Sequence, residues 1–111
     1  MMIRRIEVGP FQSNCFLLPG GEEQRGLVID PGDDAARLLS AMRSLPFTPA
    51  AVLLTHGHVD HLSGLAGILE FFPVPAYLHP ADLAWAFRSA NQLPPYYDAP
   101  RGTPPDMRSV N

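Results

Sequence analysis

Residues 53–61 read LLTHGHVDH and hold three of the chain's four histidines together with one aspartate. The chemically important side chains in this stretch are His56, His58, Asp60 and His61. Imidazole nitrogens and carboxylate oxygens are ligands that zinc, iron and manganese accept, whereas calcium and magnesium favour sites built from oxygen alone. The stretch therefore predicts a site for a borderline or transition metal.

The position of this stretch supports the same prediction. Residues 51–54 read as a buried strand, and open α/β sheets place their sites where such strands end. In an extended segment residues two apart point the same way, so His56 and His58 can bind one ion. Asp60 and His61 lie where a helix is expected to start and can bind a second ion. The alternative is a solvated polar loop in which Asp60 caps the helix, but four potential ligands at this spacing favour the metal site.

The rest of the chain alternates between strand and helix patterns. Short apolar runs bounded by turn residues predict strands, at 3–8, 15–18, 26–30, 51–54 and 74–78. Apolar residues at helical spacing predict helices, at 33–45, 60–71 and 79–90. The first three strands are expected to form an antiparallel meander. The complete order predicts the α/β class, with a mixed sheet and helices packed against it.

Several single residues admit more than one interpretation. Asp30, before Pro31 and Gly32, is either a turn residue or a partner that fixes a histidine tautomer. His79 stands alone in a strand-to-helix turn, which favours a structural role over metal binding. Cys15 lies in an apolar run and is expected to be a buried strand residue rather than a nucleophile. Trp85 is expected in the core.

The final stretch, 93–111, contains five prolines and no apolar periodicity. We expect one folded unit over residues 1–92, followed by a proline-rich irregular tail over residues 93–111. The tail is either disordered or docked on the unit through Tyr96 and Tyr97.

The composition describes one globular domain of 111 residues, 46% of them hydrophobic. Eight arginines against 11 acidic residues give a net charge of −3, which argues against binding nucleic acid through its phosphates. No apolar run approaches the roughly 20 residues that a membrane span needs. The start lacks the pattern of a secretion signal, and a single cysteine suits a reducing compartment, so we expect a cytoplasmic protein.

The segment His56-Gly57-His58-Val59-Asp60-His61 resembles the His-X-His-X-Asp-His signature of the metallo-β-lactamase-fold hydrolases. The stretches GPFQSNCFLL, GLVIDPG and VLLTHGHVDHLSGL are similar to the opening of the glyoxalase II branch, the hydroxyacylglutathione hydrolases, and its small bacterial relatives. The resemblance covers about residues 3–90. It implies a four-layer αββα sandwich, of which residues 1–92 would form the N-terminal half.

The resemblance also implies roles for the ligands. His56 and His58 would bind a first zinc ion, Asp60 and His61 a second, and Asp30 would lie beneath the site; iron or manganese are possible in place of zinc. The implied reaction is hydrolysis of a thioester, such as a hydroxyacylglutathione, by hydroxide that the metals activate. Asp60 would be the catalytic residue that orients the hydroxide.

The family completes its site with a histidine, a bridging aspartate and a last histidine, all later in the chain than residue 111. We therefore expect this chain to be an incomplete part of the enzyme, with an open sheet face through which two copies can pair as a homodimer. Two alternatives stay open. One is a truncated, non-catalytic fragment that binds metal weakly, and the other is a persulfide dioxygenase with a single iron.

Overall fold

The computed structural model describes residues 3–20 and 25–110, and within them the chain forms one six-stranded mixed sheet. Chain order and sheet order coincide for the strands, which are β1 (Arg4–Val8), β2 (Ser13–Pro19), β3 (Arg25–Ile29), β4 (Thr48–Leu53), β5 (Ala76–Leu78) and β6 (Met107–Ser109). The helices are α1 (Ala35–Ser44), α2 (Leu65–Phe71) and α3 (Pro80–Leu83). A short 3₁₀ turn, Val59–His61, lies between β4 and α2.

The strand directions determine where the loops meet. β1, β2 and β3 pair antiparallel, which confirms the predicted meander. β3, β4, β5 and β6 pair in parallel. The carboxyl ends of parallel strands lie at one edge of a sheet, so the residues that follow β3, β4 and β5 lie along the same edge.

The two faces of the sheet differ in burial. One row of cross-strand partners is fully buried and consists of Leu17, Val28, Val52 and Ala76. The helices supply further core residues, which include Leu38, Met42, Leu65 and Ile68. The neighbouring row points to the opposite face and consists of the half-buried Phe16, Ile29, Leu53 and Tyr77. The predicted α/β class, a mixed sheet with helices packed on one face, is therefore confirmed.

Two predicted helices are shorter than expected. The second begins at Leu65 rather than at residue 60, because the His61 N–H donates to the His58 carbonyl oxygen at 2.9 Å and closes a tight turn first. The third ends at Leu83, and turns replace the helix expected up to residue 90. Among the described residues, none of the helices has both the length and the apolar character needed to cross a membrane.

The irregular course expected for residues 93–111 needs a correction. β6 pairs in parallel with β5, so this stretch contributes an edge strand to the sheet. Tyr97 is only 2% exposed, and its ring packs edge-on against Phe11 with the centroids 5.2 Å apart. Tyr96 is 56% exposed but also lies against Phe11, at 5.3 Å. Docking through the tyrosines therefore holds, because the Tyr97 ring buries apolar surface against the β1–β2 turn.

Candidate metal centre

The predicted ligands lie at the edge where β3 and β4 end side by side. Ile29 pairs with Leu53, and the Asp30 N–H donates to the Leu53 carbonyl oxygen at 3.1 Å. Asp30 thereby comes next to Thr55, whose N–H donates to Asp30 Oδ1 at 2.7 Å. Residues 55–61, which we call the histidine loop, start from this point.

The three rings of the histidine loop form a cluster. The His56 ring centroid lies 4.0 Å from that of His61 and 5.0 Å from that of His58. His56 and His61 are half-buried, while His58 is exposed. The tight turn that ends at His61 folds its ring back onto His56, so the imidazoles form one group rather than two separate pairs. Rings this close can direct their nitrogens to a common cation.

Asp60 joins the same cluster. Its Oδ2 atom lies 3.3 Å from His61 Nε2 and accepts a hydrogen bond from the Ser13 hydroxyl at 3.0 Å. Ser13 begins β2 and is buried, so its hydroxyl anchors the carboxylate on the sheet. The structure thus brings together all the predicted ligands: His56, His58, Asp60 and His61.

Asp30 supports the cluster from beneath. Its side chain is 7% exposed, and its Oδ2 atom lies 3.1 Å from His61 Nδ1. Asp30 also has a backbone φ of 54°, in the left-handed region that costs energy for a residue other than glycine. Both interpretations of Asp30 hold, because it makes the turn after β3 and its carboxylate orients a histidine.

A chain of hydrogen bonds orients two imidazoles at once. The Thr55 hydroxyl donates to Asp30 Oδ2, and its oxygen lies 3.0 Å from His56 Nδ1. We assign the ring protons from this network: Nδ1–H of His56 donates to Thr55, and Nδ1–H of His61 donates to Asp30. In both rings Nε2 is left with a lone pair, as metal-binding histidines require.

The donor set fits a divalent transition metal. Ligand atoms of Asp30, His56 and His61 all lie within 4.8 Å of one another. Because both oxygens of Asp30 already accept hydrogen bonds, we assign Asp30 to orientation and leave the imidazole Nε2 atoms and the Asp60 carboxylate for the metal. A mixture of nitrogen and oxygen donors suits zinc, iron or manganese.

Two glycines allow the histidine loop to lie close to its neighbours. A Cβ atom on Gly57 would come within 2.8 Å of the Ala86 Cβ atom. A Cβ atom on Gly32 would collide with the Asp60 carbonyl oxygen. A side chain at either glycine would therefore push the ligands away from their observed positions.

His79 and Trp85 show how the next strand end differs. The exposed His79 begins α3 and its Nδ1 atom accepts a hydrogen bond from the Ala81 N–H at 3.1 Å, which is the structural role expected for it. The expectation that Trp85 lies in the core was wrong. Its ring is 36% exposed and lies against His58, with the centroids 5.5 Å apart.

Sequence reasoning missed four polar residues that contact the site, which are Ser13, Thr55, Asp82 and Asn91. Thr55 directly precedes the histidines, and that adjacency was the available signal. Asp82 and Asn91 bond to Gly57 across 25 and 34 residues of chain, and no local pattern indicates such partners.

Two buried groups near the site are neutral at neutral pH. Burial raises the pKa of the Cys15 thiol to about 12, and the negative charge of Asp30 adds to the effect. Cys15 is therefore the buried strand residue that was predicted, not a nucleophile. Burial also raises the pKa of the Tyr97 hydroxyl, and the charges of Asp33 and Asp60 act in the same direction, although hydrogen bonds partly oppose them.

A cavity of about 500 Å³ lies behind the histidine loop, between α2 and residues 98–105. Its lining includes Val59 and Leu62 but none of the histidines. The clustered ligands therefore do not open into this cavity.

The site falls inside a match to a known family. The family model described as the metallo-beta-lactamase superfamily matches residues 8–110. The chain belongs to this superfamily. Its fold implies a divalent metal site, in agreement with the clustered donors at the β3 and β4 strand ends.

Curated relatives extend beyond the matched region. A probable metallo-hydrolase of Bacillus subtilis, YqgX, is 35% identical over 85 residues, which are 77% of this chain and 39% of the relative. The hydroxyacylglutathione hydrolase GloC of Haemophilus influenzae is 38% identical over 74 residues, which are 67% of this chain and 34% of that protein. The chain thus spans less than two fifths of the length of these relatives.

Solved structures of the superfamily share the architecture. The BLEG-1 B3 metallo-beta-lactamase superposes on 99% of this chain with a TM-score of 0.84 and 28% identity. TTHA1623 in a di-iron-bound form superposes on 97% with a TM-score of 0.77 and 32% identity. This chain covers 54% of each of these two proteins.

Proposed function

We propose that the complete protein to which this fold belongs is a metal-dependent hydrolase that cleaves a thioester such as a hydroxyacylglutathione. The observation that carries the proposal is the cluster of His56, His58, Asp60 and His61 over the buried carboxylate of Asp30. The similarity to GloC supports the substrate class. This chain would contribute one part of the site.

The residues of this chain would divide the work. A divalent metal bound at the cluster would lower the pKa of water and polarise the thioester carbonyl. His56 and His61 would hold it through Nε2, because Thr55 and Asp30 engage their Nδ1 atoms. We assign to Asp60 the catalytic role of orienting the attacking water, with Ser13 restraining the carboxylate.

We propose zinc as the metal, with iron as the alternative that the di-iron TTHA1623 structure favours. Metal analysis of the protein purified without added metal distinguishes the two. Two zinc ions per complete protein are expected. Iron at a single position would instead favour the persulfide dioxygenase.

The activity test uses the complete protein loaded with zinc. Hydrolysis of S-lactoylglutathione is expected, whereas a β-lactam such as nitrocefin should remain intact. The matched control is His56→Ala, which should lose thioester hydrolysis and keep its fold. No turnover of any thioester by a protein that holds two metal ions would contradict the proposal.

A second candidate applies to the 111-residue chain alone: weak metal binding without catalysis. The observation that favours it is that the chain covers 54% of its two best-matching solved neighbours. Two protein ligands for each ion would leave the remaining coordination to water and weaken binding. Calorimetric titration with zinc tests it, and tight binding of two ions would contradict it.

We also propose that a second copy of this chain covers the open sheet face. The middle of this face is apolar, with Phe16, Ile29 and Leu53 in one row, and charged residues stand at both edges, with Glu7 on β1 and Arg108 on β6. Two faces stacked about an axis along the strands would bring the β1 edge of one copy over the β6 edge of the other, which pairs opposite charges.

Sedimentation velocity tests this pairing. Leu27 is 38% exposed on β3, so Leu27→Glu should convert dimer to monomer. The control is Phe71→Glu, at a 67% exposed position on α2, which should leave the dimer intact. A wild-type monomer, or occupation of the face by another part of a longer chain, would overturn the proposal.

We propose a cytoplasmic location, supported by the free and buried thiol of Cys15, which suits a reducing compartment. Cell fractionation tests it, and recovery outside the cytoplasm would contradict it.

A further inference from the structure

The outer side of the histidine loop is fastened to the segment that follows β5. Four hydrogen bonds connect the two, and they involve the side chains of Asp82 and Asn91. Neither residue belongs to the ligand cluster. Their partners are the backbone groups of Gly57 and Val59, which flank His58.

The Asn91 side chain bonds in three directions. Its Nδ2 atom donates to the carbonyl oxygens of Gly57, at 2.7 Å, and of Ala86, at 2.6 Å. Its Oδ1 atom accepts from the Val59 N–H at 3.1 Å. Donors and acceptors are thus matched in only one orientation of the amide group, so Asn91 ties the histidine loop to the turns after α3 in a defined geometry.

Asp82 completes the attachment. Its Oδ2 atom accepts from the Gly57 N–H at 2.9 Å, so both backbone polar groups of Gly57 are tied to the same segment. The absence of a side chain at Gly57 allows this approach, because a Cβ atom there would meet Ala86 at 2.8 Å. The Trp85 ring then packs against the exposed His58.

We propose that Asp82 and Asn91 are positioning residues that hold the histidine loop in its ligand-presenting conformation before a metal binds. The inference rests on the proposed metal-binding function for its purpose, and on hydrogen bonds of the chain itself for its geometry. A loop already fixed in the binding conformation loses less conformational entropy when the metal arrives, and affinity rises accordingly.

The test combines amide exchange of the metal-free chain with zinc titration. In Asn91→Ala the amides of Gly57 and Val59 should exchange at least roughly tenfold faster, while that of Val52 in β4 keeps its protection. Zinc affinity should fall roughly 10- to 100-fold, the range found when partners of metal ligands are removed. The control is Asn14→Ala, at an exposed position of β2, which should change neither quantity.

Asp82 allows the hydrogen bond to be separated from the charge. Asp82→Ala should weaken zinc binding and expose the Gly57 amide. Asp82→Asn keeps an acceptor oxygen, so it should restore both quantities to within about threefold of the wild type. If Asp82→Asn restores amide protection but not affinity, the residue acts through its charge and the positioning role is overturned.

The outcomes separate this inference from the proposed function. A wild-type chain that binds no zinc contradicts the metal function of the chain, while the amide exchange rates still decide whether Asp82 and Asn91 fix the loop. Unchanged exchange at Gly57 and Val59 in Asn91→Ala overturns the inference, and so does unchanged zinc affinity. If Asn91→Ala unfolds the domain, Asn91→Asp keeps the acceptor for Val59 and removes both donors, so it should release the Gly57 carbonyl and weaken zinc binding.

Discussion

Two neighbouring strand ends carry histidines, and they use them differently. β4 and β5 run parallel, and each is followed by a histidine and a helical turn. After β4, His56 and His61 pack ring to ring at 4.0 Å in the ligand cluster. After β5, His79 is exposed and caps its own short helix through the Ala81 N–H. Position at a strand end is therefore not enough to make a ligand.

The difference comes from the neighbouring strand. Beside the end of β4, β3 is followed by Asp30, whose carboxylate orients His61 and, through Thr55, His56. Beside the end of β5, β6 is followed by Val110, which offers no carboxylate or imidazole, and its N–H donates to the Leu78 carbonyl oxygen. A histidine becomes a ligand where a second strand delivers a carboxylate to orient it.

The largest expected effect comes from removing a clustered ring. His56→Ala should weaken zinc binding by more than about 100-fold, beyond the range for residues that only orient a ligand. Isothermal titration of the described chain measures it. His79→Ala is the matched control at the other strand end, and equal losses of affinity in both variants would contradict the distinction.

Removing the orienting carboxylate should have the next largest effect. Asp30→Asn keeps the size of the side chain but loses the charged acceptor for His61, so zinc affinity should fall roughly 10- to 100-fold. Asp34→Asn carries the same change of charge at the exposed cap of α1 and should bind zinc like the wild type. An Asp30→Asn protein with wild-type affinity would show that the carboxylate is only a turn residue.

Thr55 should have a smaller effect, because it orients one ring indirectly. Thr55→Val removes the hydroxyl that links His56 to Asp30, so zinc affinity should fall about tenfold, the lower end of the same range. Nitrogen-15 NMR of the imidazole should show a larger share of the Nε2–H tautomer at His56. Thr55→Ser retains the hydroxyl and should behave like the wild type; a similar tautomer shift in both variants would refute the link.

The smallest effect is expected at the other strand end. His79→Ala removes a cap from α3, a helix of only four residues, and should lower the free energy of unfolding by about 0.5 kcal/mol. Chemical denaturation measures this, and His79→Asn, which can cap the helix, should recover the loss. A fall in zinc affinity in His79→Ala would assign His79 to the metal site after all.

Much of the fold was predictable because its signals are local. The apolar runs gave all five predicted strands to within a few residues, and turn residues such as Pro31 and Gly32 marked their ends. β6 was missed because a three-residue edge strand in a proline-rich stretch has no periodicity of its own. The helix starting at Leu65 was placed too early because tertiary hydrogen bonds to Asp60 and His61 favour a tight turn over a helical one.

The sequence by itself determined the α/β order and the four ligand types, because hydrophobic period and ligand spacing are written along the chain. Only the tertiary structure decided that the ligands form one cluster over Asp30 and that Ser13 restrains Asp60. It also decided that Asp82 and Asn91 hold Gly57 in place. These contacts join residues 25 to 47 positions apart, and a hydrogen bond depends on distance and angle in space, which no local pattern records.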